Sequence, residues 1–157
     1  MNGSSEKLIY RKAKVSDLLR LQYLEQKIIE SERPFNSFIK SENVTYYDIK
    51  ELISNKKSHV IVAEDNSNII GTGYVQLRLS ESYLKHTIHS YLGFMYTSPQ
   101  YRGKGINGEI LKLLISWSQK QGVNDFYMEV YSGNTAAIKA YEKINFKPCL
   151  VEMKLNL

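Results

Sequence analysis

Cysteine occurs once in these 157 residues, tryptophan once, and histidine and proline three times each. The lone Cys149 excludes an intramolecular disulfide framework and any cysteine-rich zinc site. No apolar run approaches the roughly 18 residues that a membrane helix needs. Met1–Lys7 is polar and short, without an apolar stretch to act as a secretion signal. A cytoplasmic location with no membrane partner is the expectation. Repeats, low-complexity tracts and Pro/Gly-rich linkers are missing too, so residues 1–157 read as one domain, with 1–6 expected to be disordered.

The composition, 43% hydrophobic and 24% charged, is that of an ordinary globular protein. Such a chain buries about 68–70% of its unfolded surface and needs no staples. Lys and Arg number 21 against 16 Asp and Glu, a formal +5 that suits an anionic ligand but falls short of a nucleic-acid signature. Tyrosine is abundant, with 12 copies.

Apolar periodicity divides the chain into alternating helical and extended segments. Leu8–Ala13 alternates and reads as a strand. Ser16 and Asp17 offer helix caps, and Leu18, Leu21, Leu24 and Ile28 form one helical stripe that Pro34 closes. A polar loop runs to Asn43, and Thr45–Lys56 is expected to be a second helix. His59–Asp65, Ile69–Leu79 and Ser90–Thr97 are rich in Val, Ile and Tyr and read as strands joined by turns. After Pro99, Ile106, Ile110, Leu113, Leu114 and Trp117 mark a helix that stops near Gly122. Phe126–Tyr131 then reads as a strand, Thr135–Ile144 as a helix and Pro148–Leu155 as a last strand. The order β-α-α-β-β-β-α-β-α-β predicts a mixed α/β (α+β) fold, mostly antiparallel, with one βαβ unit.

The segment Gln100-Tyr101-Arg102-Gly103-Lys104-Gly105-Ile106-Asn107-Gly108 links a strand to a helix. Glycines let backbone approach a ligand, and a helix N-terminus presents unpaired N–H groups. An anion there gains about 0.3–1 kcal/mol from the helix dipole. Arg102 and Lys104 add positive charge at the same place, although a tight turn with two surface cations would read the same way. A Walker A loop is excluded because Lys104 precedes Gly105. Gly103, Gly105 and Gly108 do satisfy G-x-G-x-x-G, with the acidic Glu129 about 20 residues on. A dinucleotide fold is nonetheless disfavoured. Ser98–Arg102 makes the turn too long, Glu129 lies inside its strand, and residues 130–157 are too few for the remaining βα units.

The run Arg102–Asn107 resembles the pyrophosphate loop of the GNAT superfamily of N-acetyltransferases, Arg/Gln-x-x-Gly-x-Gly/Ala, with Asn107 at the final small position. A register starting at Gln100 fits without exception, but Tyr101–Ile106 favours the Arg102 register. Asn tolerates the left-handed backbone that Gly allows. A second stretch, Asn134-x-x-Ala137-x-x-x-Tyr141 followed by Asn145-Phe146, resembles the same family, with Asn145 in place of Gly. The two motifs stand in the family's order and separation.

The resemblance implies acetyl-CoA as cosubstrate, held by Met95, Tyr96, Thr97, Arg102, Gly103, Lys104, Gly105, Ile106, Asn107, Asn134, Ala137 and Tyr141. It also implies an oxyanion-binding main-chain N–H at Met95, and Tyr141 as the phenol that protonates the leaving thiolate. Tyr141 reads equally as a core aromatic, and Asn134 as a helix cap. Where relatives keep a glutamate base this chain has Tyr91, leaving His89, Glu129, Glu81 or a water chain to accept the amine's proton. His89 shares alternate positions with Tyr91, Gly93 and Met95. His86 and His89 lack a third ligand, so no metal is expected.

Substrate choice is expected from the first two helices, which hold Glu25, Glu30, Glu32, Phe35, Tyr46 and Tyr47, and from Tyr83, Tyr91 and Glu129. The acceptor is a small-molecule amine, a peptide N-terminus or a lysine, without nucleic acid, and homodimerisation is left open. A non-catalytic acyl-CoA-binding module of the same fold is the alternative in a different functional class.

Overall fold

The computed structural model describes residues 8–157, so the expected disorder of 1–6 lies outside the described residues. Strand β1 (Ile9–Lys12) is followed by helices α1 (Leu18–Glu32) and α2 (Ile49–Ser54). Strands β2 (Ser58–Asp65), β3 (Asn68–Leu79) and β4 (Ile88–Thr97) come next, then helix α3 (Ile106–Lys120), strand β5 (Phe126–Tyr127) and helix α4 (Thr135–Glu142). The strands form one sheet in the order β1-β2-β3-β4-β5, antiparallel except for the parallel β4–β5 pair.

Both faces of the sheet are covered, which explains the unbroken apolar run Val60-Ile61-Val62-Ala63 in β2. Val60 and Val62 pack with Leu21, Leu24 and Ile28 of α1 and Ile49, Leu52 and Ile53 of α2. Ile61 and Ala63 point the other way, onto Ile106, Ile110, Leu111 and Leu114 of α3. Each fully buried Leu or Ile contributes about 1.5–3 kcal/mol, so these two layers hold the sheet. Leu113, expected on the α3 stripe, lies off it and is exposed; Leu111 takes the inward place.

Three expectations are corrected. The second helix begins at Ile49, not Thr45, because the Tyr46 and Tyr47 N–H groups donate to the Glu25 carboxylate instead of entering a helix. Asp48 then caps α2 by accepting from the Glu51 N–H. The fifth strand pairs only over Phe126–Tyr127, and residues 128–131 leave the ladder. The expected last strand, Pro148–Leu155, is unpaired: its alternating Val151, Met153 and Leu155 are all exposed. This segment instead passes the α1–α2 loop, where Lys154 Nζ stands 3.0 Å from the Phe38 ring centre. Alternation supplies an apolar edge, but a strand also needs a ladder partner, and two paired residues of β5 offer none there.

Candidate active site

The β3–β4 ladder breaks in its middle. Thr72 pairs with Tyr96 but Tyr74 pairs with Gly93, so Phe94 and Met95 together oppose Gly73. A bulge of this kind bends its strand. Phe94 takes φ +54°, a left-handed conformation that costs a bulky residue about 1–3 kcal/mol. Packing holds it there: the Phe94 ring is buried and stacks on Tyr47 with centroids 4.9 Å apart. Pairing of β4 with β5 ends at Tyr91–Tyr127, just before the bulge. Beyond that point β4 and residues 128–131 diverge, opening a cavity of about 500 Å³ between them.

One end of this cleft is cationic. Arg102 and Asn107 line it beside Thr97, and Arg102 Nε donates to the Thr97 carbonyl at 3.0 Å. Gly103 (φ +76°) and Gly105 (φ +80°) supply the left-handed turns that start α3. Asn107 is not left-handed but sits in the first helical turn. No side chain caps this 15-residue helix, so its first N–H groups stay available to an anion. The buried Thr97 hydroxyl in the same wall has no hydrogen-bond partner. These unclaimed donors fit a phosphorylated ligand. Lys104 leans over the Tyr101 ring, and Ile106 is core, packed with Ile61 and Ile70.

The opposite wall comes from α4 and the segment before it. Asn134 caps α4 by accepting from the Ala137 N–H at 3.3 Å and also lines the cleft with Ala137 and Tyr141. Cap and cleft wall are thus one residue. Asn145 (φ +72°) ends the helix, and the Phe146 N–H donates to the Tyr141 carbonyl at 3.1 Å. Phe146 and Tyr141 meet edge to face with centroids 6.1 Å apart, the hydrophobic contact of a Schellman cap. Burial raises the Tyr141 phenol above its ordinary range, with the negative charge of Glu32 adding to the effect. The group therefore stays protonated at neutral pH, as a proton donor must.

Met95, Tyr96, Thr97, Tyr91 and Glu129 all border the cleft. Arg78 lies 3.8 Å from the Tyr91 ring centre. Burial and Glu129 raise the Tyr91 phenol, so it is no base at neutral pH. The bulge also breaks the alternation that placed His89 and Met95 on one face. Tyr91 packs toward α1 and α2, whereas Met95 packs toward α3.

Other expected residues are not brought to the cleft. His89 Nδ1 bonds Ser80 Oγ at 3.0 Å, and its ring abuts Tyr127. Burial, then His86 and Arg78, lower its pKa. His86 completes that cluster through Ser80 (2.7 Å) and the Tyr127 hydroxyl (2.8 Å). Tyr83 is 82% exposed in the β3–β4 turn. Tyr46 lines a neighbouring cavity of about 420 Å³ with Asn36, Phe38 and Tyr131. Among the described residues no three His, Cys, Asp or Glu side chains are grouped for a metal.

Sequence reasoning missed Tyr131, which stacks on Phe35 (6.4 Å) and whose hydroxyl accepts from Asn36 Nδ2 at 3.0 Å. Glu32 and Phe35 line the cleft directly, whereas the sequence offered them only as members of a broad segment. An aromatic just past a parallel strand's end was the available signal for Tyr131.

Comparison with known proteins agrees with this geometry. The Bacillus halodurans protein BH1408, in a tetramutant crystal structure, superposes with a TM-score of 0.83 at 21% identity, covering 95% of this chain and 99% of that one. A predicted acetyltransferase from Clostridium acetobutylicum, solved with acetyl-CoA, gives 0.74 at 21% identity over 96% of each chain. Aminoglycoside N-acetyltransferase AAC(6')-Iy, solved with CoA, gives 0.79 at 12% identity, covering 100% of this chain and 99% of that one. In sequence, 57 residues are 30% identical to the uncharacterized N-acetyltransferase YobR of Bacillus subtilis, a match spanning 36% of this chain and 23% of that relative. Residues 21–146 match the model of the acetyltransferase (GNAT) family, four-fifths of the chain and every element lining the cleft, and the chain belongs to that family.

Proposed function

We propose that the protein is an N-acetyltransferase that passes the acetyl group of acetyl-CoA to the primary amine of a small molecule, by direct attack in a ternary complex. The observation that carries this reading is the cleft itself, with an uncapped helix N-terminus and Arg102 at one end and Tyr141 along its wall. Acetyl-CoA, when bound, supplies the acetyl thioester. Arg102 and the first N–H groups of α3 bind its pyrophosphate. The β4 main chain from Met95 to Thr97 orients the pantetheine arm, and the Met95 N–H stabilises the developing oxyanion. Tyr141 gives its proton to the departing sulfur.

A small-molecule acceptor is favoured by two features. Phe35, Tyr131 and the loop before α2 wall the acceptor end. Four of the similar structures are of aminoglycoside acetyltransferases. Cys149 is exposed in the C-terminal segment and does not line the cleft, so a covalent acetyl-cysteine route has no support.

Release of free CoA thiol from acetyl-CoA, followed across a panel of amines, tests the proposal. Tyr141→Phe is expected to lower kcat by about 100-fold or more. Arg102→Ala is expected to weaken CoA binding by about tenfold. Because the Tyr141 phenol is raised, wild-type kcat should show no loss from its ionisation up to pH ~9. CoA binding without thiol release for any amine would favour the non-catalytic module, and unchanged CoA affinity in Arg102→Ala would overturn the loop assignment.

A further inference from the structure

On the acceptor side the cleft holds a carboxylate to which none of these steps assigns a task. Glu32 ends α1, lines the cleft and is half-buried. Other sequestered carboxylates among the described residues accept from donors of good geometry: Glu25 from two N–H groups, Asp17 and Glu64 from Arg11, and Asp65 from the Tyr101 hydroxyl through Oδ2 alone, its Oδ1 having no partner. None of the ion pairs among the described residues includes Glu32. The titratable groups that face it are phenols: Tyr46 and Tyr47 from the loop before α2, and Tyr141 from α4. The buried Tyr46 hydroxyl interacts with Glu32 and Tyr131 but makes no hydrogen bond of good geometry, so Glu32 has a phenol beside it and no cation. A half-desolvated anion without a cation is an incomplete site that a cationic ligand completes.

The rest of the lining limits what that cation can be. Among the described residues only two other charged side chains border the cleft: Arg102 at the phosphate end and the exposed Glu129 near Tyr91. One sequestered negative charge answers one ammonium. Around it stand aromatic faces, Phe35 stacked on Tyr131 and Tyr47 stacked on Phe94. Such walls suit a planar or apolar body, and they place π faces where a cation gains further.

We infer that Glu32 receives the acceptor's ammonium group and takes its first proton, and that the acceptor is a primary monoamine carried on an apolar or planar body. This rests on the acetyltransferase reading. R–NH₃⁺ gives one proton to the Glu32 carboxylate and becomes R–NH₂. The freed lone pair forms the N–C bond as the C–S bond breaks. A second nitrogen proton leaves through water as nitrogen becomes amide, and one proton returned from water restores the phenol that Tyr141 spent on sulfur. The Glu32 proton leaves to water, so R–NH₃⁺ and the thioester become amide, thiol and H⁺. Burial lifts the Glu32 carboxyl above its ordinary range, which makes its carboxylate a better acceptor of that proton.

NMR titration of the CoA-bound protein with phenethylamine, and separately with spermidine, tests the inference. Phenethylamine should bind, and bind more tightly than spermidine. Glu32→Gln should weaken it about tenfold or more while CoA affinity is unchanged. Glu32→Asp should recover part of the loss. Wild-type phenethylamine affinity should fall on acidification through the raised Glu32 titration, and Glu32→Gln should lack that step, because the facing phenols stay protonated throughout. Phenethylamine affinity within twofold of wild type in Glu32→Gln overturns the role of Glu32. Spermidine binding the more tightly, or phenethylamine failing to bind, overturns the acceptor class. Should Glu32→Gln also lose CoA, the pH titration and Glu32→Asp decide. Failure of CoA to bind the wild type would defeat the acetyltransferase reading itself, a separate outcome.

Discussion

Glu25 is 2% exposed, and its Oε1 accepts the N–H groups of Tyr46 and Tyr47 at 2.7 and 2.8 Å. A buried carboxylate with two main-chain donors fixes the path of the chain that supplies them. Tyr47 is thereby held against the Phe94 ring, and Phe94 is the strained residue of the bulge that opens the cleft. One carboxylate in α1 thus reaches the cleft through two aromatics. Glu25→Ala would leave both N–H groups without their acceptor and should destabilise the fold by about 2–5 kcal/mol. Glu25→Gln keeps an acceptor oxygen and should cost less than half as much. Urea denaturation of the two variants checks this, and equal losses would show that the two N–H groups require the negative charge and not merely an acceptor oxygen.

The C-terminus of α4 shows how an element fixes a side chain of the cleft wall. Asn145 at φ +72° lets the chain reverse, and the reversal lays Phe146 on Tyr141. A left-handed residue costs an ordinary side chain about 1–2 kcal/mol, Asn less and Gly nothing. Asn145→Gly should therefore leave thermal stability unchanged or slightly raised, whereas Asn145→Ala should lower it by about 1 kcal/mol. A calorimetric comparison in which alanine proved as stable as glycine would contradict the cap.

At the same scale, the elements legible in the sequence are those with a clear period. The stripe Leu21-Leu24-Ile28 gave α1, and the runs rich in Val and Ile gave β2 to β4. The glycine loop marked the cationic end of the cleft for the same local reason: its geometry is set by Gly103 and Gly105 themselves. The bulge was not legible, because Phe94-Met95 continues an ordinary apolar run and the ring on which Phe94 stacks, Tyr47, is distant in the sequence. His89 was misplaced because it precedes the stretch where β4 parts from β5, and its ring turns to Ser80 and Tyr127. Glu32 looked like any surface carboxylate of an amphipathic helix, its surroundings being assembled from three distant segments.

Across the whole molecule the cleft is also a seam. Strands β1 to β4, α1, α2 and α3 share two packed layers, while the part after α3 joins the sheet through two paired residues of β5, and α4 buries no residue fully. Tyr141, Phe146 and Met128 nevertheless touch the α3-side layer, so the attachment is real but thin. Amide exchange should be fastest, within the folded elements, over residues 126–142. CoA bridging both sides of the seam should slow exchange there far more than in β2 and β3. Equal protection of both regions would show the seam to be no weaker than the layers.

The thin β5 attachment has a kinetic corollary. Glu32 and Phe35 stand on one bank of the seam and Tyr131 and Tyr141 on the other. An amine arriving at the empty enzyme meets two half-sites joined by little beyond the Phe35–Tyr131 stack and the Asn36–Tyr131 hydrogen bond. Once the nucleotide has drawn the banks together, the same amine finds them already set. Addition should then be compulsory in order, nucleotide first, and product inhibition by CoA competitive with acetyl-CoA alone.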